Sequence, residues 1–180
     1  MWKAAVIGRI EKYDQMVTGF LLALGLILAG CTEKEARLPI NTPEQLGRTV
    51  FESLQANDME TYLRLFPTQE ELAEIAELQT ATDSAKTVVL KRLQGNYPTL
   101  SAKFKPGFLF LRKQIEDAGL DWAALKIVKT NVGTTPKYNE LEMASILVYL
   151  SENGGTPYLL EIKSAGKLER GWLMNRSPIW

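Results

Sequence analysis

The sequence predicts an α+β domain, with N-terminal helices packed on a C-terminal antiparallel sheet of about four strands. Three observations carry that expectation. Apolar residues recur at helical spacing between Leu46 and Ile115, strict alternation replaces that spacing after Asp121, and glycine-containing turns separate the alternating runs. Consecutive strands joined by short turns must be antiparallel, with the preceding helices over one face. Hydrophobic residues make up 46% of the 180 and charged ones 23%, the balance of an ordinary folded domain. No repeat or low-complexity block divides the chain.

The elements follow in order from the N-terminus. Lys3, Arg9 and Lys12 precede an apolar run from Val17 to Ala29, and no charge occurs between Asp14 and Glu33. Ala29 and Gly30 supply the small side chains a processing peptidase needs, and Cys31 follows at once. Leu28-Ala29-Gly30-Cys31 resembles the lipobox of bacterial lipoproteins. That resemblance implies a signal peptide over residues 1–30, diacylglyceryl transfer to the Cys31 thiol, a lipidated tether over 31–40, and membrane lipid as a partner. Thr32, where an inner-membrane retention aspartate would stand, is similar to the outer-membrane-sorted type facing the periplasm or the cell surface. The n-region departs from the pattern by its length and by Glu11 and Asp14, and Met16 offers a second start. An uncleaved membrane-spanning helix is the alternative, because 18 uncharged residues rise about 27 Å.

The domain is expected over 41–180. Asn41-Thr42-Pro43-Glu44 supplies a capping side chain, an early proline and an acid at the positive end of the dipole, so a first helix should run to about Gln55. Tyr62, Leu63, Leu65 and Phe66 form a short apolar face before Pro67. Thr68, reached through Glu71, caps a third segment through Leu72, Ile75 and Leu78. Ala85, Val88, Val89 and Leu93 either continue that helix or form another, since Thr80 to Ser84 weaken the middle. Gly95-Asn96-Tyr97-Pro98 reads as an interruption. Leu100, Phe104, Phe108, Leu111 and Ile115 then share a face, and Pro106 predicts a kink or a helix that starts only after it.

Strands are expected from Leu125 to Val132, Glu140 to Leu150, Pro157 to Lys163 and Leu168 to Met174. In the fourth, Leu168, Arg170, Trp172 and Met174 would share one face. Glu152-Asn153-Gly154-Gly155 and Ser164-Ala165-Gly166-Lys167 read as hairpin turns. This order of helices and strands resembles the NTF2-like cone, in which helices close a curved sheet around a pocket; a cystatin-like sheet with helices, or a fold particular to bacterial lipoproteins, is an equal expectation. Neither resemblance brings a functional motif to these residues.

Composition narrows the function. The chain has no histidine and a single cysteine, which excludes Ser-His-Asp and Cys-His catalysis and thiolate metal cages. Lysine and arginine balance aspartate and glutamate at 21 each, so no electrostatic footprint for nucleic acid is present. Asp117 and Asp121 lack the ligand spacing of a calcium loop. Glu70, Glu71, Glu74 and Glu77 read as a solvated helix face, and Gly154-Gly155 as a turn. No catalytic residue, metal or cofactor is expected. The aromatic residues of the sheet half carry the remaining signal. Tyr149, Tyr158 and Trp172, with Arg170 to orient a polar group, are candidate pocket residues on the concave sheet face, against the alternative of a solid core. The expected role is an envelope-anchored binding or interaction module with a protein partner; the alternative is a carrier or enzyme for a small apolar ligand.

Overall fold

In the computed structural model residues 39–134 and 137–180 are described, all within one compact unit, Arg37–Trp180. Among the described residues five helices precede four strands: α1 (Pro43–Gln55), α2 (Met59–Arg64), α3 (Leu72–Gln79), α4 (Asp83–Ser101) and α5 (Phe104–Asp117), then β1 (Leu125–Thr134), β2 (Met143–Glu152), β3 (Tyr158–Leu168) and β4 (Gly171–Met174). The strands form one antiparallel sheet in the order β1-β2-β3-β4. The expected α+β class is therefore observed, with helices packed against a four-stranded C-terminal sheet.

The start of α1 is where the capping residues put it. The Thr42 hydroxyl accepts the Gln45 N–H at 3.2 Å, and the Gln45 side chain accepts the Asn41 N–H at 2.9 Å. The residue before the expected start at Asn41 already belongs to the fold, because Ile40 pairs with Gly171 and its carbonyl accepts the Trp172 N–H at 2.8 Å. Leu46, Val50 and Leu54 point from α1 into the sheet and are fully buried. Gly47 permits that closeness: a Cβ there would lie 2.9 Å from Val148 Cγ2 and 3.0 Å from Ile146 Cγ2. Asp58 caps α2 by accepting the Thr61 N–H at 2.9 Å. At the far side Phe104, Phe108, Leu111 and Ile115 of α5 complete this layer. Tyr62 lies edge-on to Phe66 and Phe108, with ring centres 5.4 Å and 5.1 Å away, and Phe66 stacks on Phe104 at 3.8 Å.

Several boundaries differ from those expected. α4 passes straight through Gly95-Asn96-Tyr97-Pro98, with Pro98 in its last turn. Pro106 falls in the first turn of α5, where its missing N–H would have had no helical partner, so it neither kinks nor delays the helix. Thr68 and Glu71 make the expected contact at 2.7 Å, yet regular helix begins only at Leu72. In the sheet, Asn153 and Gly154 take left-handed φ values of 52° and 76° at the expected first hairpin turn. The second turn is elsewhere: β3 runs through Ser164 to Lys167, and the chain reverses at Glu169-Arg170, with Leu168 opposite Gly171. Leu168 and Trp172 consequently face opposite sides, and their expected shared face is corrected.

The sheet is open, bounded by β1 and β4, and does not curl into a cone. Its inner face is filled by α1 and α5 against Ile146, Val148, Leu150, Leu160 and Ile162, all fully buried. Among the described residues, close-packed side chains occupy the place where a pocket on that face is expected.

Candidate functional site

An apolar cavity lies on the other face of the sheet. Leu72 and Ile75 of α3 meet Leu141, Leu168 and Leu173 in a second, smaller apolar cluster. The chain before β2 is pinned there, since the Glu140 and Leu141 N–H groups both donate to the Leu78 carbonyl, at 2.9 and 3.1 Å. α4 turns back over this cluster after Thr82, whose hydroxyl caps its first turn. Unlike α1, α4 has no fully buried residue in its 19. Leu93, Asn96, Tyr97 and Leu100 line the space under α4 at the i, i+3, i+4, i+7 spacing of one helical stripe, with Leu93, Tyr97 and Leu100 half-buried and Asn96 exposed.

Between α3, α4 and the sheet this leaves a cavity of about 230 Å³. Two residues explain why the layers do not close. The Tyr97 hydroxyl donates to the Pro67 carbonyl at 3.1 Å, which props α4 against the α2–α3 connection. On the sheet side Gly166 offers no side chain, and a Cβ there would find only ordinary contacts, 3.5 Å to Met143 Sδ and 3.7 Å to the Asn175 carboxamide. The lining is mostly leucine, isoleucine and proline, and its polar members are Tyr97 and the carboxamides of Gln79, Asn96 and Asn175. None of the lining residues is charged. Burial pushes the Tyr97 phenol above its ordinary pKa, and the nearby Glu71 and then Glu70 add to the shift.

The four pocket residues expected from the sequence are not brought together. Trp172 is buried in the main core, on the face opposite the cavity. Tyr158 packs at the margin of that core, stacked on Trp180 with ring centres 5.6 Å apart. Tyr149 is half-buried and paired across the sheet with Lys129 and Leu159. It shares the cavity's face but is six residues along β2 from Met143, about 20 Å at the rise of a strand. Arg170 is engaged in structure. Its Nε donates to Glu71 Oε1 at 2.5 Å, Nη1 to the Arg64 carbonyl at 2.9 Å, and Nη2 to the Phe66 carbonyl at 2.7 Å. This clasp ties the β3–β4 turn to the end of α2.

The acidic group on α3 is likewise less solvated than expected. The Glu71 side chain is 12% exposed, Glu74 accepts the Glu169 N–H at 2.5 Å, and Glu77 accepts from Lys86 at 3.3 Å. Asp121 behaves as a turn residue, accepting the Ala123 N–H at 2.9 Å, and Asp117 pairs with Lys113 at 2.7 Å. Among the described residues no helix is long and apolar enough to cross a membrane, and no cluster of three acidic or cysteine side chains could hold a metal. Among the described residues large apolar side chains are exposed at, for example, Val88, Leu109, Phe110 and Val128, as is ordinary on a protein surface.

No family model matches the chain, and no curated protein or solved structure is similar to it. Two family resemblances read from the sequence are corrected by that result. No lipoprotein signal is detected. The motif Leu28-Ala29-Gly30-Cys31 carries that resemblance, together with the apolar run from Val17 to Ala29 before it, and these residues lie outside those described. The NTF2-like cone fails on the comparison and on the open, uncurled sheet alike.

Proposed function

We propose that the chain is a binding module that takes one small apolar ligand into the cavity between α3, α4 and the β3–β4 end of the sheet. The observation that carries this reading is an apolar cavity roofed by a helix with no fully buried residue, so that admitting a ligand disturbs little packing. Size sets the ligand class. Apolar cavities of roughly 150 Å³ take up benzene, and drug-sized ligands occupy about 300 Å³ or more. A space of about 230 Å³ therefore suits a single substituted ring or a short aliphatic chain. The lining supports binding without reaction, since it holds no carboxylate, amine or thiol.

The test is titration of the full chain with toluene, followed by calorimetry and by amide chemical shifts. Saturable binding is expected, with shifts centred on residues of α3, α4 and the β3–β4 hairpin. Leu93→Trp, which fills the cavity from α4, should abolish binding while leaving the unfolding midpoint within a small margin of the parent. Undiminished binding by Leu93→Trp, or shifts centred on another region, would refute the site.

A further inference from the structure

We infer that this cavity selects a neutral amphiphile, an apolar body ending in a hydroxyl or carboxamide, over an anionic ligand of the same size. The inference rests on the binding reading above and adds the chemistry of the ligand's polar end.

Charge supplies the first reason. Burying a carboxylate without a partner is far costlier than burying a hydroxyl that finds a hydrogen bond, and no lysine or arginine lines the cavity. The Arg170 guanidinium in the β3–β4 turn is already held by Glu71 and by the Arg64 and Phe66 carbonyls. At the Tyr97 phenol, one of the wall's polar groups, Glu71 and then Glu70 add to the upward push of burial on its pKa. A ligand carboxylate would meet that same field as repulsion.

The wall's own polar groups supply the second. Gln79, Asn96 and Asn175 are carboxamides, each able to donate and to accept, which suits a hydroxyl or an amide in either direction. Asn175 is placed most favourably. Its Nδ2 donates to Ser164 Oγ at 3.1 Å, which fixes the carboxamide and leaves Oδ1 for a ligand donor. Gly166 keeps the approach open, because a Cβ at that position would stand 3.7 Å from both Oδ1 and Nδ2 of Asn175.

The test uses the full chain and a series sharing one apolar body: hexan-1-ol, hexanamide, hexanoate and hexylammonium, titrated at neutral pH beside toluene. Hexan-1-ol and hexanamide should bind at least ten times more tightly than hexanoate and more tightly than hexylammonium. Gly166→Ala, whose backbone lies outside the left-handed region and so tolerates the methyl group, should weaken hexanamide several-fold by covering Asn175. Hexanoate or hexylammonium binding as tightly as the alcohol, with toluene still bound, overturns the selectivity alone. Hexanamide affinity unchanged in Gly166→Ala overturns the role given to Asn175. If neither toluene nor any member of the series binds, the cavity is not a ligand site and both readings fail.

Discussion

The face of the sheet that meets α1 and α5 is close-packed against them, whereas the face that meets α3 and α4 borders a partly open cavity of about 230 Å³. Each face has a glycine opposite a helix, and the two glycines have opposite consequences. At Gly47 the missing side chain lies on the helix itself, and α1 closes until Val148 and Ile146 nearly touch its backbone. At Gly166 it lies on the sheet, and α4 does not follow it inward, because Tyr97 bridges from α4 to the Pro67 carbonyl. A small residue yields close packing only when the opposing element is free to descend; otherwise it yields space.

The comparison is broken most directly by cutting one apolar side chain on each face back to alanine. Phe108 is fully buried and contacts Tyr62 edge-on, so Phe108→Ala should cost about 3–5 kcal/mol. Leu93 is only half-buried and already borders empty space, so Leu93→Ala should cost about 1 kcal/mol. Urea unfolding of the two variants measures both. Equal losses would mean that the α3–α4 layer is as tightly built as the main core.

A smaller effect is expected where the two layers are joined. Arg170 and Glu71, with side chains 16% and 12% exposed, link the β3–β4 turn to the segment between α2 and α3. Arg170→Met leaves the Glu71 carboxylate and two backbone carbonyls without this donor and should cost about 2–3 kcal/mol. Adding Glu71→Leu should restore part of that loss, since a buried pair replaced on both sides by apolar groups is often nearly neutral. A double variant less stable than Arg170→Met would show that Glu71 contributes more through the Thr68 N–H than through Arg170.

These contrasts mark how far the sequence could be read. The helical stripes of α1 and α5 and the alternation of β2 were legible because each buries a regular face, and the Thr42 cap and the Asn153-Gly154 turn were legible because local chemistry sets them. The site was not. Leu93, Asn96, Tyr97 and Leu100 have the spacing of a helical face, but Gly95 and Pro98 read as a break, and only packing against α3 overrides those propensities. Ser164-Ala165-Gly166-Lys167 reads as the second hairpin turn because glycine commonly marks turns. The actual reversal at Glu169-Arg170 depends on the Arg170 clasp and on Gly171, whose φ of 120° lets the chain pass the Ile40 carbonyl. Tyr149, Tyr158 and Trp172 looked like one group because they are close in sequence and aromatic. Strand alternation and the displaced turn send them to three different environments.

The smallest effect reports on the cavity itself, through one tyrosine from each face. Tyr62 lies in the solid core, where burial pushes its pKa up to about 12; the Ser177 hydroxyl lowers it only in part, and the Tyr62 oxygen finds no hydrogen bond of good geometry. The Tyr97 pKa is also raised, first by burial and then by Glu71 and Glu70. Both phenols are harder to ionise folded than unfolded, so each contribution to stability is complete below about pH 10 and is lost as pH rises through the folded value. A ligand in the cavity removes more water from Tyr97 and none from Tyr62. Absorbance titration of phenolate, with Tyr97→Phe subtracted to isolate that residue, should therefore show toluene moving the Tyr97 transition to still higher pH and leaving Tyr62 in place. A shift at Tyr62 would place the ligand in the main core, and no shift at either would place it away from α4.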